Sequence, residues 1–304
     1  MKALVLGGTG FIGRRLVDQL LSEGNEVTMV TSGKSANPFG KKVSTITADR
    51  FKRESLMKAF SGNAYFDVTF DTIGFRSMDV KNSLDALEGR TGKYVYISSA
   101  AVYTGNKEEV SEDDFDPSRT DDIEPGHEKS YGEGKQQSEV YIAKNSGIPY
   151  AMVRYPIVIG YDDSTMRFQD HISRILNGEE FHFMEPEGSR NYVWVEDAGQ
   201  FLAWLGEPGN DGIYNAASPD AFKASDFVRK MADSIGMEAK IVHGSEYSDS
   251  GYAFSSSRVL IVRKAEAKGF SFHGSNEWIG PEAKKAREYG NLSPNSFGYF
   301  GDLF

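Results

Sequence analysis

The fold is decided by the stretch Leu4-Val5-Leu6-Gly7-Gly8-Thr9-Gly10-Phe11-Ile12-Gly13, close to the first residue. The apolar run before the glycines predicts a short buried strand, and apolar residues on one face of 11–23 predict a helix after them. The first spaced glycine allows a tight turn, the second lets a pyrophosphate approach the backbone, and the third lets helix and strand pack closely. The amides at the start of the helix would hold the anion. This context predicts a dinucleotide site, with an ordinary strand–turn–helix as the alternative.

Composition limits the classes of protein that fit. The chain has 304 residues, 39% hydrophobic and 26% charged, which suits one or two globular domains. The net charge of −10 argues against broad binding to nucleic acid or anionic membranes. Without cysteine there is no disulfide, thiol nucleophile or cysteine metal site. The first apolar run is too short for a signal peptide and no run reaches membrane-spanning length, so we expect a cytoplasmic protein.

Strand and helix patterns alternate through the first half of the chain. We predict strands near 2–7, 26–31, 43–47, 67–72, 93–98 and 149–154, and helices near 11–23, 52–60, 76–88 and 131–146. Such alternation predicts an α/β fold, a Rossmann-type doubly wound parallel sheet. We assign residues 1–160 to a dinucleotide-binding domain that also carries the catalytic residues.

The second half has a different pattern, which predicts a smaller mixed α/β region. We assign residues 161–304 mostly to a substrate-binding region interleaved with the first domain. Helices are predicted at 167–177, from 196, at 224–235 and near 256–267, and strands near 180–184, 192–195, 212–215 and 239–242. Residues 104–130 hold ten acidic side chains, and we expect a solvated loop or a mobile lid. The tail 289–304 either frays or docks on the body or on a neighbouring subunit.

Two groups of polar side chains suggest acid–base chemistry. Tyr131 and Lys135 are four residues apart on a predicted helix, so they share a face, and the ammonium can lower the pKa of the phenol. A surface pair is the alternative. Ser98 and Ser99 end a predicted buried strand, where ligands bind in open α/β sheets. One of these hydroxyls could donate to a substrate oxygen, or both could simply cap a turn.

In combination, these blocks resemble the extended short-chain dehydrogenase/reductase superfamily and its NAD(P)-dependent epimerase/dehydratase family. The resemblance covers about residues 1–270. It rests on five ordered blocks, which are the glycine motif, Ser98-Ser99-Ala100-Ala101-Val102-Tyr103, the Tyr131/Lys135 pair, Arg154-Tyr155-Pro156-Ile157-Val158-Ile159-Gly160 and Arg190-Asn191-Tyr192-Val193-Trp194-Val195-Glu196-Asp197. The segments 67–74 and 160–167 also resemble a divergent branch with chloroplast RNA-binding and reductase-like members.

The resemblance implies a role for each matching residue. Ser99 matches the catalytic hydroxyl residue, Tyr131 the general acid/base, and Lys135 the residue that holds the nicotinamide ribose and the Tyr pKa. Arg190 matches a position that contacts the substrate diphosphate, although a buried ion pair with Asp197 is an equal alternative. Taken with the residue patterns, it predicts these cofactor contacts: Gly7, Thr9, Gly10, Phe11, Ile12, Gly13, Arg14, Thr31, Ser32, Lys34, Asp49, Ile73, Gly74, Ser98, Tyr131, Lys135, Tyr155, Pro156 and Val158.

The end of the second predicted strand indicates which cofactor is bound. NAD sites usually place an acid there for the ribose 2′-hydroxyl, but this strand ends in Thr31-Ser32-Gly33-Lys34. Hydroxyls and a lysine, with Arg14 nearby, suit a 2′-phosphate, so we favour NADP over NAD. Asp49 matches the family's adenine-binding position.

The implied reaction is hydride transfer at a carbinol or ketone carbon of a nucleotide sugar or similar small molecule. Epimerase and reductase both remain open. A sugar 4,6-dehydratase ranks below them, because Ala100-Ala101 stands where those enzymes carry Asp-Glu. The alternative class is a catalytically silent dinucleotide sensor or RNA-associated protein.

The remaining predictions concern metals and partners. The five histidines have no metal-ligand spacing, so no metal site is predicted. We expect no nucleic acid and no membrane as partner. A homodimer could form through helices 76–88 and 131–146, as in many relatives.

Overall fold

A computed structural model of the chain describes residues 1–62 and 64–292, and the side chains of 290–292 lie outside that description. Most of the predicted tail at 289–304 is therefore outside the described residues. The strands are β1 (Lys2–Leu6), β2 (Glu26–Thr31), β3 (Ser44–Thr47), β4 (Val68–Asp71), β5 (Tyr94–Ser99), β6 (Glu109–Val110), β7 (Tyr150–Tyr155), β8 (Val158–Ile159), β9 (Glu180–Phe183), β10 (Ser189–Asn191), β11 (Val193–Trp194), β12 (Gly212–Asn215), β13 (Ala221–Lys223), β14 (Lys240–His243) and β15 (Val259–Leu260). The helices are α1 (Phe11–Ser22), α2 (Arg53–Ala59), α3 (Ser77–Ala86), α4 (Tyr131–Asn145), α5 (Arg167–Asn177), α6 (Val195–Gly206), α7 (Ala224–Ser234), α8 (Arg263–Ala267) and α9 (Ser275–Leu292).

The centre of the fold is a seven-stranded parallel sheet in the order β12-β7-β5-β4-β1-β2-β3. Alternate residues of β1 enter different cores, because successive side chains in a strand point to opposite faces. Ala3 and Val5 pack with residues of α1 and α6, whereas Leu4 and Leu6 pack with residues of α2 and α3. Helices thus cover both faces of the sheet, and the predicted α/β Rossmann fold is confirmed.

A separate core lies in the later part of the chain. Buried aromatic and aliphatic side chains of α5, α7 and α9 form it, among them Phe168, Phe227 and Trp278. The sheet also takes elements from beyond residue 160, since β12 completes its edge and α6 packs on α1. No helix of the described ranges is both long and apolar enough to cross a membrane.

The predicted helix near 256–267 is wrong over most of its length. Val259 and Leu260 form β15, which pairs in parallel with Glu109 and Val110 of β6, and α8 begins only at Arg263. A distant partner strand overrides the local pattern. Helix α9, which contains Pro281, is a further element that the sequence pattern does not predict.

Candidate functional site

The glycines of the turn between β1 and α1 serve two different purposes. Gly7 has φ +94°, and a Cβ there would lie 2.4 Å from Ile73 Cγ2. A Cβ on Gly13 would lie 2.4 Å from the carbonyl oxygen of Gly7. The chain itself therefore needs both glycines. Gly10 differs, because its φ is −89° and a Cβ would meet nothing nearer than that carbonyl oxygen, at 3.9 Å. Its open surface leaves room for a ligand on the backbone.

The start of α1 is suited to an anion. It has no side-chain cap and no acid in its first turn. The amides of the first turn have no acceptor within a helix, and the dipole favours negative charge there. Arg14 is exposed, whereas Arg15 is buried and donates to Asp162 at 2.5 and 2.8 Å and to Glu196 at 3.1 Å. Arg15 thus secures the helix, and Arg14 stays available for a ligand.

The other predicted cofactor residues lie along the edge of the sheet that is formed by the carboxyl ends of its parallel strands. Thr31 ends β2 and accepts a hydrogen bond from the amide of Gly33 at 3.2 Å, and Ser32 and Lys34 beyond it are exposed. Asp49 follows β3 and accepts a hydrogen bond from the amide of Phe51 at 3.1 Å. These positions sit at the carboxyl ends of neighbouring parallel strands, where open α/β sheets bind ligands. Half-buried side chains of the same edge are Thr9, Phe11, Ile12, Ile73, Pro156 and Val158.

Ser99, Tyr131 and Lys135 come together where β5 ends and α4 begins. Tyr131 is 42% exposed and its hydroxyl group shares a hydrogen bond with the Ser99 side chain. Lys135 is buried, and its Nζ donates to the carbonyl oxygens of Gly74 at 2.6 Å and Ile97 at 2.7 Å. The Lys135 Nζ lies 5.9 Å from the centre of the Tyr131 ring and is held by backbone of the turn after β4 and of β5.

The electrostatics of this group were only partly predicted. Burial lowers the pKa of Lys135 to about 7, although the nearby Asp71 carboxylate opposes that shift. Burial raises the pKa of Tyr131, and both the Ser99 hydrogen bond and the positive charge of Arg167 oppose the rise. No local sequence pattern predicts this role of Arg167, which starts α5. It follows Met166, a non-glycine residue with φ +58°.

Two predicted cofactor residues direct their hydroxyls into the protein. Ser98 is buried and donates to Glu139 at 2.5 Å. Tyr155 is buried and donates to the carbonyl oxygen of Ala198 at 2.7 Å. A cofactor contact by either residue would have to use other atoms than its hydroxyl.

Arg190 lies beside a second arginine that the sequence analysis did not single out. Its guanidinium carbon stands 4.1 Å from the centre of the Phe254 ring, and its buried Nε has no partner. Burial, and then the charge of Arg258, lower the pKa of Arg190 to about 10. The buried Nε of Arg258 also has no partner. Two adjacent cations with unpaired donors favour a multiply charged anion.

The alternative of an Arg190–Asp197 ion pair is wrong. Asp197 is buried and pairs instead with His273, whose Nδ1 lies 2.6 Å from Asp197 Oδ1. These residues are far apart in the sequence, so no local pattern could have identified the true partner.

The acidic segment 104–130 is anchored near its middle. Arg154 is fully buried against Glu139, with a shortest N–O distance of 2.6 Å, and it also donates to the carbonyl oxygens of Glu112 at 2.9 Å and Phe115 at 2.8 Å. A lid movement of the whole segment would have to break these hydrogen bonds.

One group of potential metal ligands occurs within the described part of the chain. Glu185, Glu187 and His243 each offer an atom within 4.8 Å of the others. Both oxygens of Glu187 already accept hydrogen bonds from Ser225, at 2.7 and 2.8 Å. We therefore assign no metal here.

Comparison with known proteins identifies the family. The NAD dependent epimerase/dehydratase family matches residues 3–217, which is most of the chain. The chain belongs to this family. Family membership agrees with the glycine turn, the helix start and the Ser99/Tyr131/Lys135 group, and confirms the resemblance inferred from sequence.

The proteins that are similar to this chain carry names that describe different functions. A UDP-glucose 4-epimerase from Lactobacillus helveticus is 26% identical over 65% of this chain and 69% of its own length. The chloroplast stem-loop binding protein of 41 kDa b from Arabidopsis thaliana is 29% identical over 52% of this chain, and the match spans only 42% of that relative. The Bordetella bronchiseptica enzyme WbmH, solved in complex with NAD+, shares the fold with a TM-score of 0.74 at 15% identity, covering 95% of this chain and 99% of its own.

Proposed function

We propose that the chain is an NAD(P)-dependent epimerase or reductase that acts on a nucleotide sugar or similar small molecule. The observation that carries the proposal is the hydrogen-bonded Ser99–Tyr131 pair above buried Lys135, next to the dinucleotide turn. Epimerisation is our first assignment, because the Lactobacillus helveticus relative is a UDP-glucose 4-epimerase.

The proposed chemistry divides between the cofactor and three side chains. The nicotinamide would accept and return a hydride at the carbinol carbon. Tyr131 would exchange the proton of the substrate hydroxyl, and Ser99 would orient the same oxygen by a hydrogen bond. Lys135, fixed on two carbonyl oxygens, would present its remaining proton and its charge to the cofactor ribose and the phenol.

The substrate assignment rests on the two arginines. Arg190 and Arg258 lie side by side, and a diphosphate would supply negative charge for both and acceptors for the guanidinium group of Arg190. Because both residues come from the later part of the chain, we propose that residues 161–304 form most of the substrate region, and 1–160 the cofactor domain.

The preference for NADP is also a proposal. It is supported by the absence of an acid at the end of β2 and by the exposure of Ser32, Lys34 and Arg14 at that edge. A cationic and hydroxyl-rich edge suits a 2′-phosphate better than a ribose hydroxyl.

Replacing the phenol tests the proposed activity. We expect Tyr131→Phe to reduce turnover of an active nucleotide sugar by roughly 100-fold or more, while the dinucleotide still binds. Tyr141→Phe, on the same helix, is the matched control and should turn over normally. Self-regenerating cofactor would indicate an epimerase, and stoichiometric use of NADPH a reductase. Equal turnover by Tyr131→Phe and the unmodified protein would contradict the proposal.

The second candidate is a catalytically silent or RNA-associated protein. The observation that favours it is the similarity to the Arabidopsis stem-loop binding protein. The net charge of −10 disfavours it, because nonspecific RNA affinity comes mainly from basic residues. Salt-sensitive binding to a stem-loop RNA, together with no turnover of any nucleotide sugar, would select this candidate.

We further propose a homodimer through α3 and α4. Met78 of α3 is 38% exposed, which leaves apolar surface there for a second copy. Light scattering of the purified chain should give twice the monomer mass of 33.6 kDa, and a monomer mass at all concentrations would exclude the dimer.

A further inference from the structure

A buried charged network lies behind the proposed active site, and its three residues are not among the predicted cofactor or substrate contacts. Arg50 and Asp71 form a two-pronged ion pair, with N–O distances of 2.5 and 2.9 Å. Tyr94 also donates a hydrogen bond to Asp71 Oδ2, at 2.6 Å. All three side chains are at least 95% buried. Buried ion pairs cost desolvation and are weak evidence for a purely stabilising role.

The network fixes the turn that follows β4. Asp71 accepts a hydrogen bond from the amide of Ile73 at 3.2 Å. Arg50 also donates to the carbonyl oxygen of Asp79 at 2.9 Å and to Ser83 at 3.1 Å, so the turn is tied to α3. The backbone between Asp71 and α3 is therefore held at both ends.

This turn carries the carbonyl group that holds Lys135. The oxygen of Gly74 accepts a hydrogen bond from Lys135 at 2.6 Å and another from Tyr96 at 3.0 Å. A Cβ on Gly74 would lie 2.9 Å from the Tyr96 ring and 3.0 Å from Asp71 Oδ2, so the turn has little freedom to shift.

We propose that Arg50, Asp71 and Tyr94 form a positioning network that fixes the turn carrying the Gly74 carbonyl group and balances the charges that act on Lys135 in the active site. The inference rests on the proposed function, in which Lys135 serves the cofactor and Tyr131. Arg50 directly follows Asp49, so the network also connects the proposed adenine position with the lysine.

The charges around Lys135 determine how it should respond. The charged groups that act on it are Asp71 and Arg50 of the network, Asp79 from α3 and Glu139 from its own helix. The aromatic rings of Tyr96 and Phe75 lie 4.8 and 5.3 Å from its Nζ, and that of Tyr131 lies 5.9 Å away. Removing the Asp71 carboxylate therefore leaves the positive charge of Arg50 unpaired near the Lys135 ammonium. Removing the Arg50 guanidinium leaves the negative charge of Asp71 unpaired there instead.

The test is a pH titration of the Lys135 ammonium in the full chain by NMR with isotope-labelled lysine, its signal assigned with Lys135→Arg. Asp71→Asn leaves the Arg50 charge and should lower the Lys135 midpoint by about half a pH unit or more. Arg50→Gln leaves the Asp71 carboxylate and should raise it by a similar amount. Arg50→Lys keeps the charge and should restore most of the normal midpoint.

The control is Arg53→Gln, which removes an arginine from an exposed pair with Asp85 and should leave the midpoint unchanged. Unchanged midpoints in both network variants, or shifts in the same direction, would overturn the inference. If Asp71→Asn does not fold, Arg50→Gln against Arg50→Lys decides alone. A dinucleotide titration of the unmodified chain separates the two claims. Failure to bind NADP or NAD would end the proposed function, while the Lys135 midpoints would still report on the network.

Discussion

At the scale of single residues, the pKa of the proposed acid/base Tyr131 depends on more than its helix neighbour Lys135. The i, i+4 spacing of Tyr131 and Lys135 predicts that the lysine lowers the pKa of the phenol. In the structure Lys135 donates to two carbonyl oxygens, and the positive charge that opposes the raised pKa of Tyr131 belongs to Arg167. Arg167 is therefore a determinant of phenolate formation that lies on a different element.

Removing this charge gives the first prediction. Arg167→Gln should raise the pKa of Tyr131, because the phenolate loses a favourable positive charge. In a plot of turnover against pH, the part of the curve that rises with pH should therefore shift to higher pH by roughly half a unit. Arg167→Lys should move it less. Arg174→Gln, on the same helix but paired with Asp249, is the control. An unshifted curve in Arg167→Gln would show that the charge does not act on Tyr131.

At the scale of elements, the strand–turn–helix at the start of the chain uses its glycines differently. Gly7 needs a positive φ and Gly13 needs the space of its missing Cβ, so both serve the fold. Gly10 has neither requirement and faces open space. A glycine that the fold does not need is best explained by a ligand lying on its backbone.

The second prediction separates these roles. Gly10→Ala should keep the thermal midpoint within a few degrees of normal yet weaken dinucleotide binding roughly tenfold or more, since a methyl group would occupy the pyrophosphate surface. Gly62→Ala, also free of steric contact, is the matched control and should bind normally. Calorimetric titration measures both. Normal binding by Gly10→Ala would contradict the assignment of the turn.

The same element shows how far sequence reasoning extends. Local patterns predict β1, α1 and the sheet correctly, because apolar period and glycine position are written within a few residues. They do not predict β15, which forms only by pairing with β6. They also do not predict α9, because a proline such as Pro281 inside a segment argues against a helix. They also miss Arg258 and the Arg50–Asp71 pair, because neither burial nor a distant partner of a charged residue leaves a periodic signal.

At the scale of the whole molecule, several cores contribute to stability, and the core formed by α5, α7 and α9 contains a buried imidazole. His171 is 2% exposed between Phe181 and Tyr252, with its ring nitrogens 2.7 Å from the carbonyl oxygen of Arg167 and 2.8 Å from Ser250. Burial lowers the pKa of His171 to about 4. The folded chain therefore holds this imidazole neutral where an unfolded chain would protonate it.

The third prediction concerns acid stability. The imidazole of His171 takes up a proton near pH 6.5 in the unfolded chain but only near pH 4 in the folded chain. The contribution of neutral His171 to the free energy of unfolding is therefore complete above pH 6.5 and is lost as the pH falls between these values. We expect His171 to contribute on the order of 3 kcal/mol to that loss. Urea unfolding at both ends of the range should show a flatter pH dependence for His171→Gln. His127→Gln, with 68% of the side chain exposed, should behave like the unmodified chain. Parallel pH dependences for all three would contradict the buried neutral imidazole.

The central claim is that the glycine turn and the Ser99/Tyr131/Lys135 group form one nicotinamide dinucleotide site. Calorimetric titration of the purified chain with NADP+ and with NAD+ tests it most directly. The account predicts saturable binding of one dinucleotide per chain, tighter for NADP+, and a thermal midpoint that rises with ligand concentration. Tighter binding of NAD+ would overturn only the cofactor preference, whereas binding of neither dinucleotide would contradict the account.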